Sequence, residues 1–177
     1  MNRTILGLLL LLSLTAICCD RPSANPTVVM IVRHAEKAAD TDDTPLSEAG
    51  ARRAQALVRV AEAAGVDAIY SSQFKRNHDT VQPVADRLGI AVTEAPVNLD
   101  APGDYGARLA RQIMQEHSGR TVLVVGHRNT IQALVESLSG KAVDPIADEY
   151  SDLFIVVAPP RGPARLIKAR YGEAKGM

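Results

Sequence analysis

The chain has 177 residues, 46% of them hydrophobic and 23% charged, with Lys+Arg and Asp+Glu matched at 20 each. That length fits one domain with a real core. Balanced charge and an aromatic content of 3% remove the basic field and the stacking surfaces by which a domain binds nucleic acid. Both cysteines, Cys18 and Cys19, precede the globular region. That region therefore has no thiol nucleophile, no thiolate metal site and no disulfide.

In chain order, Arg3 and the apolar run 5–17 come first and read as a secretory signal, short for a membrane span. Cys18-Cys19-Asp20 follows, and residues 21–26 form a Pro- and Ser-containing tether. A cysteine closing such a run resembles the lipobox of bacterial lipoproteins, although Ile17 stands where a small residue is usual. The expectation is a signal over 1–19, a linker over 20–26, a domain over 27–171 and a tail over 172–177. The protein would be exported to the periplasm or cell envelope. A lipid anchor through Cys18 or Cys19, plain cleavage and an uncleaved membrane anchor all stay open.

From residue 27 onward, apolar runs alternate with helical patterns. Residues 27–32 are a continuous β-branched run, as a strand covered on both faces requires. Ser47 caps a helix that runs to about residue 64, where Gly65 stops it. Leu57, Val60, Ala61 and Ala64 share one face of that helix. A short strand over 66–70 precedes a helix over 76–88, ended by Gly89, and Pro83 inside it predicts a kink or a late start. Next come a strand over 90–93, a helix over 104–116 and a central strand over 121–125. A further helix opens at Asn129 or Thr130 and runs to Gly140. Strands over 153–158 and 164–169 close the chain as an antiparallel pair around the turn 159–162. This alternation predicts an α/β fold, a three-layer α/β/α sandwich on a mostly parallel mixed sheet with an antiparallel edge strand. Neither a GxxxxGK[ST] phosphate loop nor a GxGxxG fingerprint occurs, so nucleotide-driven functions lose support.

Basic clusters stand at the ends of separate predicted strands, where ligands of open α/β sheets collect. Arg33-His34 follows the first strand. A neutral imidazole attacks phosphorus without a separate activating base, and a guanidinium grips phosphate oxygens by forked hydrogen bonds. Ser71, Ser72 and Arg76 follow the second strand, with Arg76 in a helix first turn, where a cation opposes the dipole unless an anion sits nearby. Gly126-His127-Arg128 follows the central strand, where the amides opening the next helix can bind an anion. Two histidines can begin a zinc site, but no third ligand is evident and the arginines repel a cation. Glu36, Lys37 and the acidic loop 40–43 read as rim and surface.

The set Arg33-His34, then Ser72 with Arg76 and Thr80, then Gly126-His127 resembles, in order and spacing, the histidine phosphatase superfamily, the phosphoglycerate-mutase-like branch 1. Its signature runs Arg-His-Gly, Ser-x-x-x-Arg-Ala-x-x-Thr, Gly-His. The resemblance implies that His34 is the nucleophile that becomes phosphohistidine. It implies that Arg33, Arg76 and His127 form the phosphate pocket and that neither metal nor organic cofactor is needed. Ser72 and Arg128 join as substrate-binding candidates. Ala35 replaces the usual glycine, Asn77 the usual small residue after the arginine, and Arg128 a small residue after the second histidine. A proton donor is expected between the second and third motifs, where Glu94, Asp100 and Asp104 are available and Asp100 is selected.

The leading expectation is an exported, metal-independent phosphomonoesterase. It would act on a small-molecule phosphate ester or a phosphorylated envelope component. A mutase needs a covering segment for which the loops leave little material. A phosphohistidine protein phosphatase suits a compact, lidless domain. A non-catalytic exported module that binds a phosphate ligand or a partner is the alternative from another class.

Overall fold

The computed structural model describes residues 25–41, 43–100, 102–145 and 149–172. The signal-like run, both cysteines and most of the tether and tail lie outside the described residues.

Ten elements follow in order: β1 (Thr27–Arg33), α1 (Glu48–Ala64), β2 (Ala68–Ser71), α2 (Lys75–Leu88), β3 (Val92–Glu94), α3 (Tyr105–Glu116), β4 (Thr121–Gly126), α4 (Arg128–Ser139), β5 (Asp152–Ala158) and β6 (Arg165–Arg170). They build one six-stranded sheet in the order β3-β2-β4-β1-β5-β6. The first four strands of that order run parallel, and β5 and β6 close one side as an antiparallel pair. This is the three-layer α/β/α sandwich with a mixed sheet that the alternation of patterns predicts.

β1 shows why both faces must be covered. Val29 and Ile31 enter one apolar cluster with Leu109 and Ile113 of α3 and Ile131 and Leu134 of α4. Met30 and Val32 enter the other, with Leu57 and Ala61 of α1 and Val81 and Val84 of α2. Successive strand residues point to opposite faces, so a strand between two helical layers reads as an unbroken apolar run.

The helix signals act through the expected groups. Ser47 accepts from the Gly50 N–H at 3.1 Å, and Gly65 takes the left-handed conformation at φ 64° that ends α1. α2 starts at Lys75 and runs continuously through Pro83, so the late start is not found. Val81 and Val84 on either side of that proline are fully buried, so tertiary packing outweighs the one helical hydrogen bond that proline removes. The third strand is shifted toward Glu94 because it forms only where Val92 and Thr93 find partners in β2.

Candidate active site

Strand register brings the motifs together. β1 and β4 are parallel neighbours with Arg33 opposite Gly126, so His34 and His127 leave the sheet at the same level. The His34 N–H donates to the Gly126 carbonyl at 2.9 Å and carries the pairing one residue past the strand. On the other side of β4, Ser71 lies opposite Val125, which brings Ser72 to the same edge. All three motifs thus meet at the carboxyl ends of parallel strands. Gly126 is needed for close approach, since a Cβ there would stand 2.8 Å from the Ile131 side chain and 2.9 Å from the Thr130 hydroxyl.

The His34 and His127 ring centroids are 5.3 Å apart in an edge-on arrangement. His34 Nδ1 lies 2.8 Å from the Ala35 carbonyl oxygen. A carbonyl only accepts, so Nδ1 carries the proton and Nε2 keeps its lone pair. His127 has the opposite arrangement. The Arg76 guanidinium, which only donates, is 3.4 Å from His127 Nδ1, and the Ser72 hydroxyl is 3.0 Å from His127 Nε2. Neutral His127 therefore carries its proton on Nε2 and donates it to Ser72. The buried side chains of Ser72 and Arg76 thus both act on His127, and Arg33 lies half-buried beside His34.

Thr80 ties the second motif to the first. Its hydroxyl accepts from the Ala35 N–H at 2.9 Å and donates to the Arg76 carbonyl at 2.7 Å. Ala35 is fully buried, and among the described residues no non-glycine residue has positive φ, so alanine in the glycine position carries no backbone strain. Asn77, also fully buried, donates from Nδ2 to the Val125 carbonyl at 3.3 Å and so reaches the strand that ends in His127.

Burial and positive neighbours keep both rings neutral. His34 is lowered to about 4, mainly by desolvation and further by Arg33 and Arg76, against the opposing hydrogen bond to Ala35. His127 is lowered to about 3, mainly by desolvation and then by His34, Arg76 and Arg33. A pocket that disfavours added positive charge is suited to a phosphate anion, which would reverse the sign of the local field.

The other candidates are exposed. Arg128 is exposed in the first turn of α4. Asp100 is exposed in the loop before α3, and its N–H bonds the Asn98 side chain at 3.0 Å. That loop is held near the site at two points. Gln73 exchanges two hydrogen bonds with the Val97 backbone, at 2.7 and 3.0 Å, and Asn129 donates to the Leu99 carbonyl at 3.4 Å. Glu94 is drawn to His78 at 3.4 Å, and Asp104 occupies the N-cap position of α3.

Several site residues escaped the sequence reading. Tyr150 stacks on Arg33 and faces His34. Phe74 lies edge-on to His127, with ring centroids 5.0 Å apart, and under Arg76. Phe74 lies within the second strand-end cluster but is apolar, and Tyr150 lies far from all three clusters in the chain, so neither carries the basic signal. Two acidic residues read as rim and surface also have partners. Asp43 accepts from the Lys75 N–H at 2.8 Å and caps α2 one residue before Arg76. Glu36 is gripped by Arg53 of α1 through Nε at 3.0 Å to each carboxylate oxygen and a terminal nitrogen at 2.7 Å. Arg53 also donates to the Tyr171 carbonyl at 3.0 Å. A broad groove of about 1240 Å³ runs along α1 and shares Glu36 and Arg53 as wall, but its lining includes neither histidine and neither Arg33 nor Arg76. The strand-end cluster therefore lies outside that groove.

Residues 29–97 match the family model described as histidine phosphatase superfamily (branch 1). No curated protein matches the chain. Among solved structures, the protein histidine phosphatase SixA complexed with tungstate is similar at 21% identity and TM-score 0.62, over 81% of this chain and 96% of its own. A mycobacterial glucosyl-3-phosphoglycerate phosphatase is similar at 18% and 0.61, over 80% and 97%. A phosphoserine phosphatase mutant from Entamoeba histolytica, in complex with phosphoserine, is similar at 16% and 0.61, over 79% and 94%. The family model thus spans the first two motifs and ends before Gly126-His127, while the solved structures match this chain in fold over about 80% of its length.

Proposed function

We propose that this chain, which resembles the histidine phosphatase superfamily (branch 1) in family match, motif order and fold, is an exported phosphomonoesterase working through phosphohistidine on His34. The family match and the fold support phosphatase chemistry. One observation carries the choice of nucleophile: the Ala35 carbonyl holds the proton on His34 Nδ1 and leaves the Nε2 lone pair available.

In the first step Nε2 forms a bond to phosphorus and the bond to the leaving alcohol breaks. Arg33, Arg76 and His127 hold the phosphoryl oxygens, supplying donors where charge is concentrated. A carboxylic acid, assigned to Asp100, protonates the leaving oxygen. Water then attacks the phosphohistidine while the same carboxylate takes its proton, releasing phosphate and restoring His34. No step calls for a metal or an organic cofactor. A small phosphate ester or a phosphorylated envelope component fits this reading, and the fold neighbours complexed with tungstate and phosphoserine support an oxyanion ligand.

A second reading, a protein phosphohistidine phosphatase, draws on the neighbour of that activity and on the exposure of Asp100. The labile P–N bond asks less of a proton donor than an alkyl ester does.

Hydrolysis of an aryl phosphate in chelator, compared with His34→Ala, tests the leading reading. Chelator-insensitive turnover that vanishes in the variant is the expected result. Equal, negligible rates in both proteins would favour a binding module, and loss on chelation would indicate a metal site. Asp100→Asn should slow an alkyl ester at least tenfold and a phosphoimidazole much less.

A further inference from the structure

We propose that Tyr150 is a positioning residue of this phosphoryl site, whose ring holds the Arg33 guanidinium in place and covers His34. The Arg33 guanidinium carbon stands 4.3 Å from the centroid of the Tyr150 ring, within the range of a cation–π contact. The same ring lies 5.8 Å from the His34 imidazole at an interplanar angle of 53°. One side chain therefore touches both the nucleophile and its neighbouring phosphate-binding group.

The second half of the site repeats the arrangement. Phe74 lies 4.7 Å from the Arg76 guanidinium carbon and 5.0 Å from His127. Each arginine–histidine pair is backed by one aromatic ring. The whole chain holds four tyrosines and two phenylalanines, so two rings on one site are a concentration and not a background. Phe74 has a second task, packing against the apolar cluster beneath α3 and α4, whereas Tyr150 stands half-exposed just before β5.

Guanidinium geometry explains what such a ring does. Stacking occupies the flat face of the group, while its N–H donors point outward in its plane. A ring on the face does not compete with forked hydrogen bonds made along the edge. It also limits the rotamers of a long side chain, so less order is lost when the anion binds. Over His34 the ring displaces water, which agrees with desolvation as the main cause of that residue's lowered pKa.

This inference rests on the phosphatase reading, and the experiment separates the two. Tungstate inhibition, steady-state kinetics on an aryl phosphate and thermal melting are measured for wild type, Tyr150→Ala, Tyr150→Phe and His34→Ala. In Tyr150→Ala, tungstate should bind about tenfold more weakly and KM should rise more than kcat falls, with the melting temperature little changed. Tyr150→Phe keeps the ring and should recover most of that affinity. Wild-type tungstate binding in Tyr150→Ala, with His34→Ala inactive, would overturn the tyrosine's role alone. Tyr150→Phe as weak as Tyr150→Ala would also overturn it, since the hydroxyl and not the ring would then matter. An active His34→Ala would remove the phosphatase reading and this inference with it.

Discussion

At the scale of single residues, the two imidazoles are set by what can donate to them. His34 is fixed by a carbonyl and His127 by a guanidinium, so the same residue type takes opposite tautomers 5.3 Å apart. Both rings are held neutral in the fold, with pKa values of about 4 and about 3, below the ordinary 6.5. The unfolded chain therefore binds protons that the folded chain refuses. Stability from this source is fully present above pH 6.5 and is lost as pH falls toward 4. The loss should reach roughly 3 kcal/mol per ring by pH 4, read as a falling urea midpoint. His34→Asn and His127→Asn should each flatten that pH dependence, and an unchanged slope would contradict the burial argument. The sequence made this chemistry legible because Arg33-His34 and Gly126-His127 announce themselves at strand ends. Tyr150 did not, because its stacking partner is 117 positions away in the chain and no local pattern links them.

At the scale of elements, close backbone contacts position the site. Thr80 on α2 spans the Ala35 amide and the Arg76 carbonyl, so the helix and the loop after His34 share one hydroxyl. Gly50 on α1 and Gly106 on α3 are both pinched, for different purposes. A Cβ on Gly50 would meet the Glu36 carbonyl oxygen at 2.2 Å, two residues after His34, while one on Gly106 would meet the Ala133 backbone of α4 at 2.5 Å. Both Gly50→Ala and Gly106→Ala should cost about 1–3 kcal/mol of stability by denaturant unfolding. On the proposed function, only Gly50→Ala should also lower kcat well beyond its stability loss, because it displaces the loop that follows His34. Equal activity in the two folded variants would count against this division. Element order was legible because hydrophobic period and glycine stops are local signals. Continuity of α2 through Pro83 was not, since the burial of Val81 and Val84 depends on strands that the helix reaches only in the fold.

At the scale of the molecule, the sheet's two margins are treated differently. β3 is a three-residue margin, too short to recruit another strand. β6 is longer, and Arg165, Lys168 and Arg170 stud it with charge. Lys168 also reaches the buried carboxylate of Asp152 at 2.9 Å and Arg170 approaches it at 3.8 Å. Replacing both with isoleucine should strip that carboxylate of its cations and promote self-association, visible as earlier elution in size-exclusion chromatography. A monomeric, equally stable double variant would show that the charges are idle. The course of β1 has a larger consequence. It runs from Thr27 to Arg33, so the first strand residue and the histidine cluster lie at opposite ends of one rigid strand, about 20 Å apart. If the chain is moored ahead of Thr27, that strand sets a spacer of about 20 Å between the mooring side and the two histidines.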